Sequence, residues 1–418
     1  MSKLEELIQK YCPDGVEWKP LSELGDFYSG LTGKTKEDFR DGNAKFITYV
    51  NIFNNPSLKT DVEEKVKIAP GEKQNTVQYG DALFTGSSET PDECGMCSVL
   101  THQTDEKLYL NSFCFGFRFF DLSDKCPSFM KHLFRSTSIR KAICRTANGV
   151  TRFNVSKKEF AKIEIPLPPL PVQEEIGRQL DIFAELQAEL QAELQKRLQQ
   201  YNYYRDNLLS DFTPEQEPKE CTLEEITTDI YSGATPSKEK RDYWENGTIP
   251  WMSSGEVNLG QVYEVEGRIT QLGYDKCSTR MVPEGSVVIA LAGQGKTRGT
   301  VAILRTSVCT NQSLAALVPN PEIVSGEYLY YYLKTQYSKL REVSSGDGTR
   351  GGLNLKMLRS YKVIVPSLKT QAQIVSILDR FDALTNDLTA GLPAEIEKRR
   401  QQYEFYRDKL LTFKRKEA

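Results

Sequence analysis

One phrase occurs twice in this chain. Gln199-Gln200-Tyr201-Asn202-Tyr203-Tyr204-Arg205-Asp206-Asn207-Leu208-Leu209 returns as Gln401-Gln402-Tyr403-Glu404-Phe405-Tyr406-Arg407-Asp408-Lys409-Leu410-Leu411. A repeat this long marks a duplication, so the fold has to accommodate two similar modules. These can be related by a pseudo-twofold axis and suit a ligand or partner that is itself roughly twofold. Upstream, Pro168, Leu170, Gln173, Ile176, Leu180, Asp181, Phe183 and Leu186 have counterparts in Pro366, Leu368, Gln371, Ile374, Leu378, Asp379, Phe381 and Leu384. The offset then grows by four residues, which places an insertion around Gly391-Leu392-Pro393. Tyr28-Ser29-Gly30 matches Tyr231-Ser232-Gly233, and Gly80 to Phe84 resembles Gly285 to Ile289. Arg152-Phe153-Asn154-Val155 is set opposite Gly352-Leu353-Asn354-Leu355. Similar helices thus alternate with globular stretches that have drifted apart.

At 418 residues the chain has room for two globular domains plus connectors. Met1 to Lys10 reads as a short amphipathic helix rather than a signal peptide, and no apolar run approaches membrane-spanning length. The nine cysteines are scattered, which predicts reduced thiols in a cytoplasmic protein rather than a disulfide framework. With 54 basic and 57 acidic residues, any nucleic-acid role must rest on local loops or on partner subunits.

Short apolar runs punctuated by Gly, Asn, Asp and Pro predict strands at Lys45 to Val50, Ala82 to Thr85, Cys97 to Leu100 and Ser112 to Phe120, with a helix over Ser128 to Ala142. The second copy predicts strands at Ser286 to Leu291, Thr300 to Leu304 and Ser313 to Val318, with a helix over Glu327 to Val343. A proline-bounded turn then launches a long helix in each copy. Pro171 stands where a first-turn proline is tolerated, and Thr370 with Gln373 has the spacing of a capping box. The first long helix holds three tandem Ala-Glu-Leu-Gln tetrads, Ala184 to Gln195. Leu186, Leu190, Leu194 and Leu198 form a stripe that creeps about 40° per tetrad. Such a stripe calls for a partner helix, and the second long helix is the natural candidate, giving an antiparallel pair.

Catalytic strings are incomplete. Gly295-Lys296-Thr297 and Gly33-Lys34-Thr35 suggest a phosphate loop, but Ala290 and Tyr28 stand where its first glycine belongs. Cys94-Gly95-Met96-Cys97 could open a zinc site with His102 or Cys114, yet no second spaced pair follows. His102 and His132 are the only histidines, and neither has a nucleophile context. Asn55-Pro56-Ser57-Leu58 lacks the second proline and the aromatic of an amino-methyltransferase motif. The chain reads as non-catalytic, with no metal or cofactor of its own.

Two divergent domains, each followed by a helix that starts Pro-x-Leu-x-x-Gln and ends Gln-Tyr-x-Tyr/Phe-Tyr-Arg-Asp-x-Leu-Leu, resemble the DNA specificity subunit of type I restriction-modification enzymes over essentially the whole chain. The resemblance implies an α+β fold of two mixed target recognition domains, residues 1–165 and 214–365. Two long antiparallel helices, residues 166–213 and 366–418, would act as a coiled-coil spacer with pseudo-twofold symmetry. Each domain would read one half of a split double-stranded DNA target. The helices would dock two modification subunits that carry S-adenosylmethionine, and a restriction subunit would add cleavage driven by ATP and Mg. A scaffold that joins proteins without DNA is the alternative. Polar and cationic side chains in glycine-rich loops that differ between the domains suit the reading of phosphates and bases. The candidates are Ser29, Lys34, Lys36, Ser87, Ser88, Thr90, Thr151, Arg152 and Asn154 in the first domain. In the second they are Ser232, Thr235, Ser237, Lys238, Gln294, Lys296, Thr297, Arg298, Thr349, Arg350 and Asn354. Docking candidates are Tyr201, Tyr204, Arg205 and Leu208 with Tyr403, Tyr406, Arg407 and Leu410.

Overall fold

A computed structural model describes residues 3–293, 297–344, 352–386 and 390–417. The chain forms two compact units, Met1–Ala192 with Glu395–Ala418, and Glu193–Ala394. Both boundaries fall inside helical segments, Leu170–Ser210 and Leu392–Leu410. Each unit therefore contains a globular part, the start of the helix that leaves it and the end of the other copy's helix.

In unit 1 the strands Gly25–Ser29, Cys114–Phe119, Ala82–Thr85 and Cys97–Val99 form an antiparallel sheet in that order. Alternation decides its two faces. Phe84, Phe115 and Phe117 point into one core with Phe129, Phe134 and Phe160, while Leu83 and Cys114 point into another with Ile47, Ile52 and Leu58. Burial on both faces explains why Ala-Leu-Phe-Thr reads as a continuous apolar run. Unit 2 repeats the plan with Thr227–Ser232, Leu314–Pro319, Val287–Ala290, Val301–Leu304 and a parallel edge strand, Gln261–Val262. Val287 and Ile289 face one core, Val288 and Ala290 the other.

Most strands lie within a residue or two of their predicted places, but the one expected over Lys45 to Val50 stops at Ile47, because Thr48 caps a helix, Tyr49–Asn54, that takes its last two residues. Each predicted domain helix is in turn two. Pro127–Leu133 is followed by Thr137–Cys144, and Gly326–Thr335 by Tyr337–Val343. At each junction a hydroxyl takes a helical carbonyl three residues back, Ser136 Oγ to Leu133 O and Thr335 Oγ1 to Tyr332 O, both at 2.7 Å. That local bond competes with continuing the ladder. The expected capping box at Thr370 is also corrected. The helix Leu368–Asn386 starts earlier, and Ser367 Oγ accepts the Thr370 N–H.

The repeated helix starts act as clamps. Gln173 Oε1 accepts the Cys126 N–H at 2.9 Å, and its Nε2 donates to Asp124 O and Pro168 O at 2.9 and 2.7 Å. Gln371 does the same with Ser325 N, Ile323 O and Pro366 O, each at 2.9 Å. Both glutamines are buried, and all three polar functions of each amide are used to fasten the domain helix to the long one. The repeated aspartates add a second tie. Asp181 accepts from His132 Nε2 at 2.7 Å, and Asp379 accepts from Tyr331 Oη at 2.7 Å.

The predicted amino-terminal helix is present as Lys3–Tyr11 and contributes Leu4 to the unit 1 core beside Leu411. There the two chain ends pair, Val16 N–H donating to Lys414 O and Lys416 N–H to Val16 O. The tetrads are helical throughout, and none of Leu186, Leu190, Leu194 or Leu198 is buried. All nine cysteines are unpaired thiols. Among the described residues no helix is long and apolar enough to cross a membrane, and no cluster of three metal-ligating side chains occurs.

Candidate nucleic-acid interface

Antiparallel register brings the candidate loops together. Ser29 pairs with Phe115 and Thr85 with Cys114, so the segments after Ser29, after Thr85 and before Cys114 leave the same end of the unit 1 sheet. In unit 2, Ser232 pairs with Ala315 and Ala290 with Leu314, and the corresponding three segments converge. The turn before the central strand is the same in both. Asn111 Oδ1 accepts the Phe113 N–H at 2.9 Å, and Asn311 Oδ1 accepts the Ser313 N–H at 3.0 Å. The shared Tyr-Ser-Gly has a steric cause. A Cβ on Gly30 would stand 2.0 Å from Asn111 O, and one on Gly233 would stand 1.8 Å from Thr310 O.

A hairpin, Ala147–Asn148 with Phe153–Val155, pairs with Ser87–Ser88 and carries Thr151 and Arg152 on its exposed tip. Ser156 caps the helix Lys157–Phe160, and Asn354 caps Leu355–Arg359. Val155 N–H donates to Gly86 O just as Leu353 N–H donates to Leu291 O. The partner of Asn354 is therefore Ser156, not Asn154, at the same offset of 198 that relates Pro168 to Pro366. On this register Arg152 corresponds to Arg350, which lies outside the described residues with Gln294, Lys296 and Thr349.

Several candidates are spent inside the fold. The Lys34 side chain is only 8% exposed, and its ammonium bridges Lys67 O and Glu72. The hydrogen bond from Lys34 is the main reason the Glu72 carboxyl is lowered to about 2. Ser87 and Ser88 are buried, and the Ser88 and Thr90 hydroxyls both donate to Glu93. Asn354 uses its side chain as a helix cap, and Thr235 Oγ1 donates to Gln312 at 2.5 Å. Thr297 and Arg298 are half-buried, as is Ser232. Ser29, Lys36, Thr151, Arg152, Asn154, Ser237 and Lys238 are exposed. Sequence reasoning missed Phe113, which is 60% exposed and lies 5.7 Å from the Arg152 guanidinium. Its signal was the matched turn, aromatic in one copy and Ser313 in the other.

The repeated tyrosine phrases serve the fold in the same way in both units. Tyr204 stacks on Phe381 at 5.7 Å and 28°, and Tyr406 stacks on Phe183 at 5.3 Å and 18°. Arg205 lies over Tyr201 and pairs with Asp206, while Arg407 lies over Tyr403 and pairs with Asp408. Tyr201 is 4% exposed, and Leu208 and Leu410 pack on their cores. Tyr403 Oη meets His132 Nδ1 at 2.9 Å, and burial pushes its hydroxyl up to about 12. His132 is itself lowered by burial. Burial opposes ionisation of Asp181, but bonds from His132, Lys131 and Ser128 outweigh it and hold the carboxyl at about 2. Tyr203 and Phe405 face outward at matching positions, 64% and 63% exposed, and Tyr204 also keeps 41% of its surface exposed beside its stack on Phe381.

Residues 13–200 and 216–398 match the type I restriction modification DNA specificity domain. The chain is 41% identical over 271 residues to the EcoR124I/EcoR124II type I restriction enzyme specificity subunit of Escherichia coli, covering 63% of this chain and 66% of that one. It is 27% identical over 427 residues to a putative type I restriction enzyme specificity subunit of Haemophilus influenzae, covering 98% of each. The fold is similar to the type I restriction-modification S subunit of M. genitalium, with a TM-score of 0.54 at 17% identity over 95% of this chain and 96% of that one. A chain solved in a study of type I complex assembly and conformational transition gives 0.61 at 20% identity, over 96% and 98%.

Proposed function

The chain belongs to the type I restriction-modification DNA specificity family, and on that premise we propose that it reads a bipartite DNA target, one half-site per unit, as a non-catalytic subunit in the cytoplasm. The observation that carries this reading is the contrast between the parts. The glutamine clamps and the Tyr-on-Phe stacks recur with corresponding partners in both units, whereas the three loops at each sheet end differ in side chains. Surfaces that meet the same partner twice have to be alike, and surfaces that read different half-sites have to differ. Two modification subunits would dock on the repeated helix phrases, with Tyr203 and Phe405 as outward anchors, because Tyr201, Tyr403 and Tyr406 are engaged within their own units. Those subunits would hold S-adenosylmethionine, and a restriction subunit would use ATP and Mg.

Methylome mapping of cells that carry this chain with its modification subunit tests the reading. Methylated adenines within one split sequence are expected. A DNA-free scaffold predicts no sequence-specific methylation, and that result refutes the proposal. For docking, the double variant Tyr203→Ser with Phe405→Ser should lose co-purification with the modification subunit while keeping the melting profile of the chain. Undiminished co-purification refutes the assignment.

A further inference from the structure

We propose that the Phe113 ring, displayed beside Arg152, makes an apolar contact to a base in the half-site read by unit 1, and that unit 2 reads its half-site without such a contact. The inference rests on the DNA reading above and names the chemistry of one contact within it.

Phe113 is held from both sides by its backbone. Its N–H is taken by Asn111 Oδ1, and its carbonyl accepts the Gly86 N–H at 2.8 Å. The turn therefore projects the ring rather than letting it fold back onto the core. A single exposed aromatic needs no explanation by itself. This one has two further features. A guanidinium lies 5.7 Å from its centroid, on a hairpin whose Arg152 Nε reaches Ser87 Oγ at 3.3 Å. At the tip of the same hairpin Val150 is 91% exposed. Apolar tips beside a cation match a polyanion whose bases present stacking faces and thymine methyl groups. The cation supplies the charge complementarity that an ordinary protein-docking patch at this place would not require.

The second unit supplies an internal control. Its turn has the same Asn311 cap and the same hydrogen-bond pattern, yet presents Ser313, with Gln312 engaged by Thr235. Identical scaffolding with an aromatic in one copy and a hydroxyl in the other localises the difference to the side chain.

The test uses the complex assembled with its modification subunits and a duplex carrying the mapped target. Phe113→Ala should weaken binding by about 5- to 150-fold, the range for loss of one aromatic–base contact. Phe113→Leu should retain part of the affinity. The loss should vanish on a duplex with the first half-site scrambled and persist with the second scrambled. Two arms identify the contact. A 2-aminopurine signal in the first half-site that rises on binding in wild type but not in Phe113→Ala indicates a base step unstacked by the inserted ring. A thymine-to-uracil replacement that weakens wild type but not Phe113→Ala indicates a methyl contact. Equal binding by wild type and Phe113→Ala on the intact target overturns the inference and leaves the DNA reading standing. Failure of the wild-type complex to select any target overturns both.

Discussion

Replacing Gln371 by glutamate keeps the shape of the clamp and reverses one half of its chemistry. The acceptor to Ser325 N–H survives, but the Nε2 that donates to Ile323 O and Pro366 O becomes an oxygen facing two carbonyl oxygens, each at 2.9 Å. Gln371 has no exposed surface, so water cannot mediate. A protonated glutamate has a single O–H and restores one of the two donated bonds, which leaves a deficit of about 1 kcal/mol. An ionised one is held against two carbonyls, so its folded pKa must rise above the ordinary carboxylate value. Raised in the folded state, the group penalises folding least below about pH 4.3, and stability is lost as pH climbs towards the folded value. Keeping the proton at pH 7 costs about 3.7 kcal/mol and at pH 5 about 1 kcal/mol, so the variant should lose about 2.7 kcal/mol relative to wild type between those values. Trp244 and Trp251 report unit 2, and Trp18→Phe removes the only tryptophan in unit 1. Urea unfolding followed by fluorescence in that background at pH 5, 6 and 7 measures the deficit. A deficit of under about 1 kcal/mol at pH 7, or one that does not change with pH, refutes the clamp as the function of this glutamine.

Gly30→Ala should cost about 3 kcal/mol or more because its Cβ meets Asn111 O, whereas Gly33→Ala, at φ +69 with nothing within 4 Å, should cost about 1 kcal/mol in thermal unfolding; equal costs would remove the steric account of the shared Tyr-Ser-Gly. His132 is lowered by burial, and its hydrogen bond to Asp181 does not offset this. Unit 1 should therefore hold its full contribution above about pH 6.5 and lose up to about 1.4 kcal/mol per pH unit below it, down to the folded value. His132→Gln should abolish that slope in denaturation followed at Trp18, and an unchanged slope would place its origin elsewhere. Deleting Ala188 to Gln191 shortens the helix by about 6 Å and turns it by about 40°. With one base pair adding about 3.4 Å, methylome sequencing should find both half-sites kept and the gap changed by roughly one base pair, and an unchanged gap refutes a spacing role for the tetrads.

Local order was legible in the sequence because local sterics and burial write it in short periods. The doubly buried strands appeared as apolar runs, and the long helices as good helix formers between proline and leucine signals. The duplication announced two units, and Pro-x-Leu-x-x-Gln announced that something recurs at each helix start. Even so, the break at Ser136 and the shift of Asn354 to Ser156 required hydrogen bonds to be seen, since apolar periodicity does not register which hydroxyl or amide a backbone group chooses.

Which polar and aromatic side chains stay free was decided by tertiary structure alone. Lys34 looked like a loop cation until Glu72 and Lys67 O closed on it, and Tyr403 looked like docking surface until His132, 271 residues earlier, met its hydroxyl. Phe113 looked like part of a strand until the Asn111 turn faced it outward. Contacts between residues so far apart depend on how the chain closes on itself, and a one-dimensional pattern has no term for that. The sequence by itself determined that there are two copies and what repeats in them. The folded chain determined which residues of each copy remain available to a partner, because burial and hydrogen bonding consume side chains only after distant segments have met.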